Sequence, residues 1–103
     1  RGWQFAGPLT RTFTDHRRLL EEIKPHAVVI AVPLAAHFDI CCDSIDAGCA
    51  VFCEKLMCYS LEQAQKLVAR VDQKKVVFQV GLQRRANAIY RQAAAMVQAG
   101  LLG

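Results

Sequence analysis

Ala27-Val28-Val29-Ile30-Ala31-Val32-Pro33 is the stretch that decides the fold. The residues before the proline are all apolar, so both faces of an extended segment there expect cover, as in a central strand of a parallel sheet. Pro33 closes the strand, because it brings no amide hydrogen to a ladder.

Reading outward, Thr14 or Asp15 can cap a helix that carries Leu19, Leu20 and Ile23 on one face until Pro25 stops it. Residues 1–13, with Gly2, Gly7 and Pro8 and no sustained period, read as a loop with room for a short strand. Downstream, Leu34, Phe38, Cys41, Cys42 and Ile45 recur at helical spacing, and Gly48 stands where a left-handed cap belongs. Residues 50–53 form a second buried strand. Ser60 and Gln63 have capping-box spacing ahead of the stripe Leu61, Ala64, Leu67, Val68 and Val71, and residues 72–75 read as a polar turn. Val76-Val77-Phe78-Gln79-Val80 is a third strand ending at Gly81, and Ile89, Ala93, Met96 and Val97 mark a last helix that Gly100 terminates.

This alternation predicts an α/β fold: part of a doubly wound, Rossmann-like parallel sheet with right-handed crossovers. The turns after the three strands, at Val32-Pro33, Glu54-Lys55 and Gly81-Leu82-Gln83, then fall on one edge, where open parallel sheets bind ligands. With 103 residues and Arg1 in place of an initiating methionine, the expectation is one partial domain, residues 1–103, of a longer protein.

Composition narrows the function. A hydrophobic content of 53% with 21% charged residues describes a globular core, and no apolar run approaches the about 20 residues that cross a bilayer. A cytoplasmic protein without a membrane partner is expected. The net charge of +4 comes from scattered pairs (Arg17-Arg18, Lys74-Lys75, Arg84-Arg85) without interleaved aromatics, so no nucleic acid is expected either. Cys41, Cys42, Cys49, Cys53 and Cys58 include no C-x-x-C pair, which favours free, mostly buried thiols over disulfides or a metal site.

Val51-Phe52-Cys53-Glu54-Lys55-Leu56 holds the sharpest candidate for chemistry, an apolar run ending in a carboxylate and an amine. Lysine at a crevice wall donates strong hydrogen bonds and suits proton transfer, and Glu54 could accept from a sugar hydroxyl or hold the lysine's charge. An ordinary surface Glu-Lys pair is an equally good reading of the pattern. His37, one turn beyond Pro33, could face a ligand, although a helix-surface histidine fits its spacing better. Gln83, Arg84 and Arg85 could bind phosphate or polyol hydroxyls, or form a solvated first turn of the last helix. No G-x-G-x-x-G occurs, so the chain lacks the usual cradle for a dinucleotide's phosphates.

Taken together, Asp15, Leu19-Leu20, residues 27–33 with His37, Ala47-Gly48, Phe52-Cys53-Glu54-Lys55, Ser60, Gln79-Val80-Gly81, Arg84-Arg85, Tyr90 and Gly100 resemble the Gfo/Idh/MocA oxidoreductases in order and spacing. The resemblance covers residues 14–103. It implies the second half of an N-terminal Rossmann domain, without its first βαβ unit and without the substrate domain, from an enzyme that uses NAD or NADP. Such an enzyme moves hydride between the nicotinamide and a sugar, polyol or related hydroxyl compound, and is a homo-oligomer at full length. By the same resemblance Lys55 is catalytic, Glu54 approaches the nicotinamide ribose, Pro33, His37 and Gln83 lie on the cofactor side, and Arg84 is near the substrate. No metal is implied. Leu56 departs from the family's Glu-Lys-Pro motif, and it keeps open a non-catalytic alternative: a cofactor sensor or subunit-interaction module on the same scaffold.

Overall fold

In the computed structural model, which describes residues 11–101, helices and strands alternate as the sequence predicts. The order is α1 (His16–Ile23), β1 (Ala27–Ile30), a 3-10 turn (Leu34–Ala36) running into α2 (His37–Asp46), β2 (Ala50–Glu54), α3 (Leu61–Lys74), β3 (Phe78–Gly81) and α4 (Ala88–Gln98). Most of the stretch read as an opening loop, residues 1–10, lies outside the described residues.

Helix ends follow local chemistry. Asp15, rather than Thr14, caps α1 by accepting from the Arg17 amide, and the Ser60 hydroxyl accepts from the Gln63 amide to start α3. Gln63 reaches back to the amide of Tyr59, one residue before the cap, so the predicted capping box closes one position early. Gly48, with φ of 79°, follows α2 in the left-handed conformation expected of it. The predicted turn at residues 72–75 is a correction: α3 runs on through Lys74 and ends on Lys75, which is itself left-handed with its amide donating to the Val71 carbonyl. A closing hydrogen bond outweighs the polarity of that stretch.

The strands form a parallel sheet in the order β1-β2-β3, with Ile30 beside Cys53 and Glu54 beside Gly81. Helices α2 and α3 cover one face, where Ile30, Cys41, Ile45, Val51, Cys53 and Leu67 make the core. Four of the five cysteines are buried and all five are free. The other face is bare among the described residues: Val29 is 72% and Phe52 39% exposed, although the sequence of β1 predicts cover on both sides. Successive right-handed crossovers in one direction deposit their helices on one side, which accounts for the difference. Helix α4 stands away from the sheet with every residue exposed. No helix among the described residues is long and apolar enough to cross a membrane.

Polar pairs lace the covering helices together. Asp43 on α2 accepts from the His16 ring at 2.7 Å and from Arg17 at 2.9 Å, and Asp46 pairs with Arg70 of α3 at 2.8 Å. Burial alone would push the Asp43 carboxyl up, but the hydrogen bonds from His16 and Arg17, with their charges, outweigh it and hold it below its ordinary range. A depressed folded-state value contributes stability above the unfolded carboxylate's pKa of about 3.9, and the contribution disappears as pH falls through the folded value. Thermal melts from pH 7 to pH 2 are therefore expected to show wild type above Asp43→Asn near neutrality, with the gap closing below about pH 4.

Candidate functional site

Alternation along β2 sets the site. Val51 and Cys53 face the core, which leaves Phe52 and Glu54 on the bare face as the strand reaches its carboxyl end. Lys55 follows at once and is exposed. The peptide bond between Lys55 and Leu56 is cis. On the neighbouring strand Gly81 is buried, and a side chain there would meet Phe52 at 3.0 Å and the Glu54 Oε1 at 3.2 Å. A hydrogen at this position lets the aromatic ring and the carboxylate lie across the strand end. Gly81→Ala is expected to displace one of them at about 1–3 kcal/mol of stability, measured by denaturant unfolding.

Phe52, Glu54 and Gly81 border a cleft of about 550 Å³ that Leu82, Gln83, Arg85 and Arg91 complete. It has an apolar floor, one carboxylate, two side-chain amides (Gln79 and Gln83) and two guanidinium groups, a set able to grip a planar, polar ligand from its edge. Of the residues singled out in the sequence, Glu54, Gln83 and Arg85 share this cleft. Arg84 does not line it: its guanidinium donates to the Tyr90 hydroxyl at 2.6 Å and lies 5.6 Å from that ring's centre. Arg85 and Arg91 take the cleft instead, because residues 83–86 form a turn rather than the first turn of α4. Nothing in the spacing of the arginines could separate them.

His37 is placed differently from its sequence reading as a surface or ligand-facing residue. Its ring is 2% exposed, with Nδ1 2.7 Å from the Leu56 carbonyl oxygen and Nε2 2.9 Å from that of Val32. Both nitrogens are engaged by the main chain, so neither is presented to a ligand. The Val32 carbonyl is drawn to the ring two residues after β1 ends at Ile30, and the predicted strand through Val32 is correspondingly shorter. Pro33, exposed, follows in the same turn and leads into the 3-10 turn before α2.

A cleft of similar size, about 590 Å³, lies between α2 and α3 beside Arg17, Asp43, Lys66 and Arg70. Most of its charged groups pair, Arg17 with Asp43, Lys66 with Glu62 and Arg70 with Asp46, while Asp39 makes no ion pair among the described residues. It lies on the covering helices rather than at the strand ends, and its three cations are each paired with a carboxylate.

Comparison with known proteins bears on the carboxyl edge. Residues 5–82 match the family model described as an oxidoreductase family with an NAD-binding Rossmann fold. The chain is 32% identical over 89 residues to scyllo-inositol 2-dehydrogenase (NAD(+)) of Bacillus subtilis, covering 86% of this chain and 26% of that protein. It is 27% identical over its whole length to an uncharacterized oxidoreductase of the same organism, covering 30% of it. Among solved structures, an inositol dehydrogenase homolog from Azotobacter vinelandii, complexed with NADH and myo-inositol, superposes with a TM-score of 0.80 at 33% identity over 86% of this chain and 25% of that one. The chain thus spans between a quarter and a third of the length of these relatives.

Proposed function

Because the chain belongs to the Gfo/Idh/MocA oxidoreductase family, we propose that its sheet edge is the nicotinamide side of a dehydrogenase acting on a polyol or sugar hydroxyl. The observation that carries this reading is the placement of Glu54 and Lys55 at the carboxyl end of the central strand, between the turns that follow β1 and β3. Ligands bind at that end in open parallel sheets. Residues 1–103 are read as part of one Rossmann domain. Among the described residues, the bare face of the sheet and the unpaired edge of β1 agree with a sheet that continues, as a doubly wound fold would.

The residues present fit the nicotinamide end of a dinucleotide. Phe52 and Leu82 offer an apolar wall, the Glu54 carboxylate an acceptor for ribose hydroxyls, and the Gln83 amide a donor and an acceptor, with Gly81 leaving room for the Phe52 ring and the Glu54 carboxylate to lie across the strand end. Pro33, in the turn after β1, is assigned to the same side. They do not fit the phosphate end, since no glycine-rich turn occurs in these 103 residues. NAD, or NADP in its place, supplies a carbon that takes or gives a hydride when bound. Lys55 takes the hydroxyl proton at Nζ as the substrate carbon loses hydride and the carbonyl forms, and returns it in the reverse direction. Arg85 and Arg91 are assigned to the substrate end of the cleft in place of Arg84, which is turned to Tyr90.

The test is nicotinamide reduction by the full-length protein with NAD and with NADP, across myo-inositol, scyllo-inositol, glucose and related polyols. Turnover with at least one, abolished by Lys55→Ala, is expected. Dinucleotide binding without turnover, unchanged by that substitution, would establish the non-catalytic reading instead. A homo-oligomer at full length, read by light scattering, is part of the same proposal.

A further inference from the structure

We propose that His37 is a positioning residue: its buried imidazole ties the turn after β1 to the turn after β2 and thereby fixes where Lys55 presents its amine. The inference rests on the catalytic reading of Lys55 given above. It starts from the environment of the ring, which is 2% exposed at the first residue of α2, with Cys53 Sγ 3.6 Å from Nδ1. The nitrogens face two carbonyl oxygens from different segments, Leu56 at 2.7 Å and Val32 at 2.9 Å. Leu56 is the residue immediately after Lys55, and Val32 immediately precedes Pro33. One side chain therefore bridges the turns that follow β1 and β2.

Carbonyls at a strand end have lost their ladder partners, and a buried one without a donor is costly. The Leu56 carbonyl has its side-chain partner on α2 rather than in its own turn. Its orientation, and with it that of the preceding residue, depends on where α2 sits against the sheet. The thiol of Cys53 donates to the Glu54 carbonyl at 3.3 Å, so it does not compete for the Leu56 oxygen. A neutral ring carries one N–H and an imidazolium two, so a neutral ring donates to one of the two carbonyls and only an imidazolium serves both.

The two contacts can be separated by substitution. An asparagine amide reaches about as far as Nδ1 and a glutamine amide about as far as Nε2, so His37→Asn keeps a donor toward Leu56 and His37→Gln keeps one toward Val32. In the full-length protein oxidising myo-inositol with NAD, His37→Gln is expected to lower kcat about 10- to 100-fold, with KM for NAD changed less than about threefold. His37→Asn should restore kcat to within about threefold of wild type. A role confined to stability would lower the melting temperature of both variants and leave kcat per folded site unchanged, and that result overturns the proposal, as does equal loss of kcat in both. If Lys55→Ala leaves kcat intact, or no turnover occurs, the catalytic reading fails and this one with it. If Lys55→Ala abolishes turnover while His37→Gln does not, this one alone fails. A ring N–H proton protected from solvent exchange, seen by NMR in wild type without substrate and lost in both variants, reports the tie independently of turnover; its absence overturns the tie itself.

Discussion

Lys55→Ala is expected to lower kcat of the full-length protein by about 10²- to 10⁴-fold and to leave the affinity for the dinucleotide within a few-fold of wild type. The asymmetry follows from what the side chain is asked to do. An amine that accepts a proton only as the hydride leaves contributes to the transition state and little to the ground state, so its loss falls on kcat. Lys55 is exposed, and its neighbour Glu54 turns onto the face of Phe52 and Gly81, so alanine at position 55 removes no core contact. Steady-state rates and a fluorescence titration of NADH on the same preparation separate the two quantities. Loss of binding equal to the loss of rate would make Lys55 a cofactor anchor instead of a proton carrier.

The second large effect concerns stability. Leu67 on α3 is 1% exposed and sits in the core with Ile30, Cys41, Ile45, Val51 and Cys53. Leu67→Ala removes three buried carbons and leaves a cavity that a layer of β-branched and cysteine side chains fills poorly, at an expected cost of about 2–5 kcal/mol. The neighbouring Val68 is 56% exposed, and Val68→Ala is expected to stay within about 0.5 kcal/mol. Chemical denaturation of the two variants checks the contrast. Equal losses would mean that α3 lies on the sheet in a different rotation.

The helix was legible in the sequence because the stripe through Leu61, Ala64, Leu67, Val68 and Val71 has helical period and follows a serine cap, but its rotation was legible only in part: Leu67 is buried, whereas Leu61 and Val68 are 76% and 56% exposed. The strands were legible for a related reason: short apolar runs bounded by Pro33, Lys55 and Gly81 leave little choice of element. Gly48 and Gly100, with φ of 79° and 74°, sit in the left-handed conformation that their placement after helical stripes predicts. Lys24 and Lys75 adopt the same conformation, with φ of 48° and 56°, and no propensity marks them for it.

The candidate site was legible in outline only. Glu54 and Gln83 share a cleft because three strand ends share an edge, which topology alone supplies. His37 was misread because the apolar stripe of α2 runs through Phe38, whereas the buried line is His37, Cys41, Ser44 and Ile45. That line has the same i, i+4, i+7, i+8 spacing, but histidine and serine hide it from a hydrophobicity pattern. The use of Gly81 depends on the facing side chains of Phe52 and Glu54 across the sheet, and the choice between Arg84 and Arg85 depends on a turn, so neither follows from periodicity.

The most direct test of the carboxyl edge as the cofactor side is amide hydrogen exchange of the full-length protein with and without NADH. Slowed exchange is predicted in the segments that follow the three strands, around Val32, Glu54 to Leu56 and Gly81 to Gln83, with the groove between α2 and α3 unchanged. Protection centred on that groove, or no change in any of the three turns at saturating NADH, would contradict the account.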